Sequence, residues 1–446
     1  MNLVFFSLKT KGAHNFTRRL WTVFTRFGFT EARTSHALRT IIGVLRTHNA
    51  APTFFIPAVV LRRHPALMTK IVRYGAEVGI HGYVHNDYRT LSKTEQYAQT
   101  KQAIAVFEKS RIAYQGFRNP YLGWTEEALR VFTTLGFTYE SNEAVLHDVI
   151  DLDVLQSQIR SGYEKSLKLF QAMPCNAFTL RPHFEGTLLR IPTSIPDDEM
   201  IFDRLRITDA QEVGRIWSSI MQRVYDFGGI YTLNLHPERG LLCEPALKLL
   251  LDHARGQSLP VWMARLDDVA QWWKERAQFK LQITPQAPGH WRVEATCTPR
   301  ATLLARHLEV EGQPVTPWYG TDVRLPAHSC IVQAARCPCI ALSPQTPQEI
   351  MDFLHEQGYP AVYGAWEEAA TYALYLDMPT GSGTSRQEQM QRRSLLVEQI
   401  EALEAPLIHF APWPAGCRAA LAISGDIDSI TIQDFFLRIL EVRQRV

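Results

Sequence analysis

Through the first half of the chain, short apolar runs alternate with segments of helical period. Leu3 to Leu8 reads as a strand, His36 to Thr47 as a helix and Thr53 to Pro57 as the next strand. Leu67 to Tyr74 reads as a helix closed by Gly75, and Glu77 to His81 as a strand that delivers His81 at its C-terminal end. Thr94 to Ser110 and Thr125 to Leu135 are predicted helices, and Tyr114 to Arg118, Phe137 to Glu140 and Ile230 to His236 predicted strands. The alternation predicts an α/β fold, a barrel or a layered sheet. In such barrels chemistry gathers at the C-terminal strand ends, where His81, Arg118 and His236 all fall.

The pattern changes near Phe279. Phe279–Thr284 and Trp291–Thr296 alternate apolar and polar around a Pro-Gly turn, as half-buried antiparallel strands do. Thr346 to Gln357 and Ser385 to Ala405 read as helices, with Met378 to Thr384 as a flexible linker before the second. Arg418 to Asp428 reads as a strand running into Gly425-Asp426-Ile427-Asp428, followed by a helix from Ile432 to Val442. The expected organisation is a (β/α) barrel over residues 1–275, a smaller β-rich α+β accessory domain over 276–380, and a helix plus strand-helix over 381–446.

Composition narrows this picture only slightly. A chain of 446 residues favours more than one domain, and 46% hydrophobic with 21% charged residues is ordinary for a globular protein. A net charge of +2 leaves no electrostatic footprint for nucleic acid or an anionic membrane surface. No window has the apolar length of a membrane span, and the apolar start is too brief for a signal-peptide core. Seven cysteines, most of them isolated, suggest a reduced, cytoplasmic chain. Cys330, Cys337 and Cys339 cluster, but a C-P-C pair lacks zinc-ribbon spacing and reads as chance placement.

Three motifs carry the candidate chemistry. In His81-Gly82-Tyr83-Val84-His85 two imidazoles four residues apart converge on one ion if the backbone turns after the strand, and the glycine permits a tight turn. In Gly116-Phe117-Arg118-Asn119-Pro120-Tyr121 a strand-end arginine suits bidentate holding of a carboxylate, and the Tyr121 N–H suits a developing oxyanion. In Leu233-Asn234-Leu235-His236-Pro237-Glu238 a strand-end histidine suits general acid catalysis. Leu233 and Leu235 would wall a small apolar substrate pocket, with Trp124 as a further substrate contact.

H-x-x-x-H, R-x-P-Y and L-x-L-H-P in this order resemble the polysaccharide deacetylases, the NodB-homology proteins of carbohydrate esterase family four. The resemblance covers roughly residues 1 to 275, about one domain. It includes Ala51-Pro52-Thr53-Phe54-Phe55, the stretch from Leu188 to Pro192 running on to Pro196-Asp197-Asp198-Glu199-Met200, and the segment from Val261 through Leu266-Asp267-Asp268 to Trp272-Trp273. It implies a distorted (β/α) barrel and metal-dependent hydrolysis of an acetyl group or a related amide. By motif matching, His81 and His85 would bind a divalent metal, with zinc the first candidate. Arg118 would orient the base, the Tyr121 N–H would serve the oxyanion hole, and His236 would be the acid. The partner implied is a carbohydrate or small amide.

The first motif of that family departs here. Where two acids are expected after the first strand, the chain has Lys9 and Lys11. An ammonium repels a divalent ion and, while charged, takes no proton from water. Arg418–Asp428 resembles a first-motif strand of the D-x-D variant, and by that resemblance Asp426 would be base and Asp428 the third metal ligand. Three placements compete for it: docking at the N-terminal site, the start of a truncated second catalytic domain, or an edge strand whose aspartates cap the next helix. The last two together are ranked ahead of docking. Asp87, Asp148, Asp151 and Asp153 read as solvated loop acids. The expected function is a metal-dependent deacetylase or amidohydrolase. The alternative is a catalytically impaired descendant that binds a carbohydrate or a protein, because Lys9 and Lys11 replace the acids. A weaker idea makes the β-rich second region, with Trp291 and Trp318, a carbohydrate-binding module.

Overall fold

The computed structural model describes residues 26–177, 180–312, 314–378 and 386–442. The predicted strand from Leu3 to Leu8, Lys9 and Lys11, and the linker beyond Met378 lie outside the described residues. A curled parallel sheet with helices packed on it forms the centre of the molecule, a half-barrel. Its inner strands are Thr193–Ile195, Ile230–Leu235, Ala419–Asp426, Thr53–Ile56, Glu77–Ile80, Gly116–Phe117 and Tyr139–Glu140, in that order. Near-continuous apolar runs become strands here because both faces are covered, as parallel sheets require. All four residues of Thr53–Ile56 and all eight of Ala419–Asp426 are buried.

The strand from the far end of the chain fills the slot between the Thr53 and Ile230 strands. Its registers are Thr53↔Ser424 and Phe55↔Asp426 on one side, and Ile230↔Ala420 through Leu235↔Gly425 on the other. Val261–Met263 pairs with its start. Gly425 permits the close fit, because a Cβ there would lie 2.7 Å from the Leu235 carbonyl oxygen and 3.0 Å from the Phe54 ring. The docked placement therefore holds, and the capping and truncation readings of Asp426 and Asp428 are corrected. The following helix, Ile432–Glu441, is capped by Thr431 and Asp434 in a reciprocal capping box, not by either aspartate. Asp434 also pairs with Arg63 and His64 at 2.6 and 2.7 Å, and Thr34 Oγ1 donates to the Ile430 carbonyl at 2.7 Å. The helix is thereby fixed across the barrel mouth.

The region from 280 to 410 makes the return possible. It builds two four-stranded antiparallel sheets and a three-stranded parallel one, with the helices Gln348–Glu356 and Arg386–Glu401. Its apolar core is continuous with the barrel. Phe55, Tyr139 and Leu189 of the barrel sheet pack in one cluster with Trp272, Trp273, Val293, Leu303 and Ile408. Arg276, fully buried, donates to the carbonyls of Glu356, Ala411 and Pro412. Trp291 and Trp318 are tied down by indole N–H bonds to the carbonyls of Ala334 and Gly416. No helix among the described residues is long and apolar enough to cross a membrane.

Candidate metal and catalytic site

The Glu77–Ile80 strand ends on His81, and Gly82 then turns the chain at φ +81°, where a Cβ would meet the Val84 carbonyl oxygen at 2.9 Å. That turn brings the His81 and His85 ring centroids to 5.2 Å. His81 Nδ1 lies 2.8 Å from the Arg118 carbonyl, so the Nδ1–H tautomer is fixed and Nε2 is left for a ligand. His81 Nε2 is 3.4 Å from Asp428 Oδ1, and His85 Nε2 is 3.2 Å from Asp428 Oδ2. Ligand atoms of these three side chains all lie within 4.8 Å of one another. Burial pushes the His85 imidazole below its ordinary pKa, with Asp428 pulling the other way and Arg438 adding to the fall. Neutral imidazole is the metal-binding form. Burial works to raise the Asp428 carboxyl, but His85 and Arg438 outweigh it and hold the group well below the carboxylate range. Arg438, from the terminal helix, donates to Asp428 Oδ2 at 2.6 Å.

Asp426 sits two residues earlier, as the last residue of the Ala419–Asp426 strand. Its Oδ1 accepts from Arg118 Nη1 at 3.2 Å and its Oδ2 from Asn234 Nδ2 at 3.0 Å. Arg118 is fully buried and is itself held rigidly: Nη1 donates to Asn234 Oδ1 and Ser424 Oγ, Nε to the Ser141 carbonyl, and Nη2 to the hydroxyls of Ser141 and Thr193. Its guanidinium lies 4.4 Å from the Phe55 ring centroid.

His236 stands at the end of the Ile230–Leu235 strand. Asp198, fully buried, approaches its Nδ1 at 2.6 Å and accepts from its backbone N–H at 2.7 Å. Burial opposes charge on His236, but Asp198 overrides it and lifts the imidazole well above its ordinary pKa. Asp197, beside it, is pushed up to about 7 by burial and then by Asp198. His81, His85, Asp426, Asp428 and His236 line one pocket of about 190 Å³. Tyr121 lines it too, with its ring edge-on to His85 at 4.8 Å and its backbone at φ +61°. A left-handed tyrosine is uncommon and marks a constrained turn.

Three proposed substrate contacts lie elsewhere. Alternation along the strand points Asn234 into the site and buries Leu233 and Leu235 in the core behind it, so the leucines are corrected from pocket walls to core residues. Trp124 is set between the guanidiniums of Arg190 and Arg386 at 4.2 and 4.7 Å, and is likewise not a wall of the pocket. Asp87 receives the Arg89 N–H and guanidinium, while Asp151 and Asp153 sit on an exposed loop. Sequence reasoning did not single out Asp198, Asn234, Ser424 or Arg438. For Asn234 the signal was present, as the polar residue alternating between two leucines.

A family model described as "Polysaccharide deacetylase" matches residues 30–140. Among solved structures, a protein described as a polysaccharide deacetylase from Mycobacterium smegmatis shares 20% identity over 53% of this chain and 76% of its own, with a TM-score of 0.40. One so described from Pseudomonas aeruginosa shares 18% over 53% and 72%, at 0.41. A CE4 family pseudoenzyme from Bacillus anthracis shares 18% over 32% and 52%, at 0.24. The segment that matches the polysaccharide deacetylase family, residues 30–140, runs through both the His81–His85 and the Arg118 motifs.

Proposed function

We propose that the chain is a metal-dependent hydrolase that removes an acetyl group from, or cleaves a C–N amide bond in, a carbohydrate or small amide. The observation that carries this reading is the meeting of Asp426 and Asp428 with His81, His85 and Arg118 across more than three hundred residues of chain. The donor set fits a divalent ion. Asp428 Oδ1 is buried without a hydrogen-bond partner, His81 presents Nε2, and burial disfavours the charged form of His85. His81, His85 and Asp428 would hold it, and zinc suits two imidazoles and a carboxylate. Bound there, such an ion supplies a Lewis acid and lowers the pKa of water.

The remaining work falls to the protein's own groups. Asp426, fixed by Arg118 and Asn234, takes a proton from the attacking water. The Tyr121 N–H, carried on its constrained turn, is the donor assigned to the carbonyl oxygen as charge builds there. His236, charged because of Asp198, gives the proton on Nε2 to the leaving nitrogen or oxygen. Asp198 binds Nδ1 and keeps Nε2 turned outward.

The test is acetate release from N-acetylated chito-oligosaccharides and aryl acetates by purified, zinc-loaded protein, with His81→Ala as control. A metal-loaded chain that hydrolyses neither substrate sinks the proposal. One observation favours a second reading, a binding protein with impaired chemistry: Arg438 already neutralises Asp428. Stoichiometric zinc by elemental analysis, lost in His81→Ala, argues against that alternative.

A further inference from the structure

Cys337 and Cys339 lie far along the chain from the proposed active site, on the wholly buried strand Cys337–Leu342 of the three-stranded sheet. Residues two apart on a strand share a face. A register irregularity between Cys337 and Ile340, against the Tyr372–Leu376 strand, disturbs the pleat at this point. The result is an Sγ–Sγ separation of 3.4 Å between two free thiols. Both line a cavity of about 440 Å³, walled by Trp291 and Tyr372 with Glu368 beside them. Hydrogen bonding from Cys339 draws the Cys337 thiol down in pKa, against burial, and Cys339 is raised in turn. Of the two, Cys337 is thus the more acidic thiol.

The ligand count narrows what such a pair takes. Among the described residues, the sets of three or more histidine, cysteine or carboxylate groups able to hold an ion are His81, His85, Asp428 and Asp197, Asp198, His236, so neither thiol belongs to one. Zinc in a structural site takes four protein ligands, and two sulfurs do not supply them. Soft centres prefer thiolate. Two sulfurs this close on one face suit a pyramidal centre that accepts both at roughly a right angle, and they fit a linear ion poorly.

We propose that Cys337 and Cys339 form a two-thiol capture site for a thiophilic trivalent metalloid, of which an aryl arsenical is the accessible probe. The step is a condensation without redox change. Two S–H bonds and the arsenic–oxygen bond of an arsine oxide break, two As–S bonds form, and the protons leave with the oxygen as water. The site is independent of the deacetylase reading.

The experiment titrates the reduced full chain with phenylarsine oxide under anaerobic conditions, followed by intact mass and by counting free thiols. One equivalent is expected, with two of the seven thiols lost. The adduct should survive excess monothiol and reverse with a small dithiol. Peptide mapping should place the arsenic on the 337–339 segment. C337S and C339S should each forfeit monothiol resistance. Should either fail to fold, C337A and C339A with mapping of the wild-type adduct carry the same test. An adduct that monothiols strip from the wild type, one that maps elsewhere, or one retained by the C337S/C339S double variant overturns the proposal.

Discussion

Asp426 is enclosed by donors on both oxygens, from Arg118 and Asn234, and Arg118 is in turn fixed by Ser141, Thr193 and Ser424. Asp428, two residues on, leaves one buried oxygen without a hydrogen-bond partner and spends the other on Arg438, a side chain 26% exposed. The first half of the site is a closed polar network and the second half is open. A closed network holds one carboxylate in one geometry at every stage of a reaction. An orphaned oxygen 3.4 Å from His81 Nε2 is costly unless something arrives to satisfy it. The proposed base and the proposed metal ligand are thus distinguished by their surroundings although both come from the same turn of chain.

The most severe way to break the comparison is to remove the strand that carries both halves. Leu421, Ile423, Ile427 and Ile430 are buried, and at about 2 kcal/mol each they represent much of a typical net stability of about 5–15 kcal/mol. A chain ended after Glu404 also loses the central rungs of the sheet. It is expected not to fold, as judged by loss of near-UV circular dichroism and of a cooperative thermal transition. A folded truncated barrel would show that the terminal strand is an accessory.

Single substitutions separate the halves. Asp426→Asn should lower kcat by about 100- to 10,000-fold, the usual span for a general base, while zinc stoichiometry stays at that of the wild type. Asp428→Asn should lose the zinc. If Asp426→Asn also loses it, the two roles assigned above are wrong.

The role proposed for His236 as acid is sharpened by pH. His236 is raised in the folded protein, so its charged form persists above 6.5 and is lost as pH rises through the folded pKa. Catalysis by that form falls along the same alkaline limb. Asp198→Asn removes the anion that raises it, so the limb of kcat/KM should move down toward the ordinary histidine value, costing about tenfold or more near pH 8. A lowered plateau with an unmoved limb would mean that Asp198 only props the fold.

How legible this was depends on the distance over which each contact acts. The first-half elements were readable because their signals are local: Gly75 and Gly136, both at positive φ, close helices, and Thr125 caps one. The histidine pair was readable for the same reason. The seat of the Ala419–Asp426 strand was not, since parallel pairing joins segments hundreds of residues apart and a buried apolar run names no partner. Its unbroken apolar run, Ala419 to Ile423, was the available hint. Leu233 and Leu235 were misplaced because a motif was read as a patch, when a strand alternates. Asp198 is 38 positions from His236, and an Asp-Asp pair before a helical segment looks like a cap.

Arg438 gives the finest test of the open half. Its charge lies against Asp428 Oδ2 at 2.6 Å, where a divalent ion held by Asp428 would feel repulsion. The pair is partly exposed, so the interaction is worth about 1 kcal/mol or less. Arg438→Gln should therefore tighten zinc binding by about fivefold or less, measured by competition with a chelator of known affinity, and the gain should shrink as salt is raised. The same substitution removes the cation that helps hold Asp428 ionised, so the advantage should fade at low pH rather than at high. Weaker zinc binding in Arg438→Gln would give the arginine the opposite role, that of positioning the carboxylate for the ion, and would make the two halves of the site more alike than their hydrogen bonds suggest.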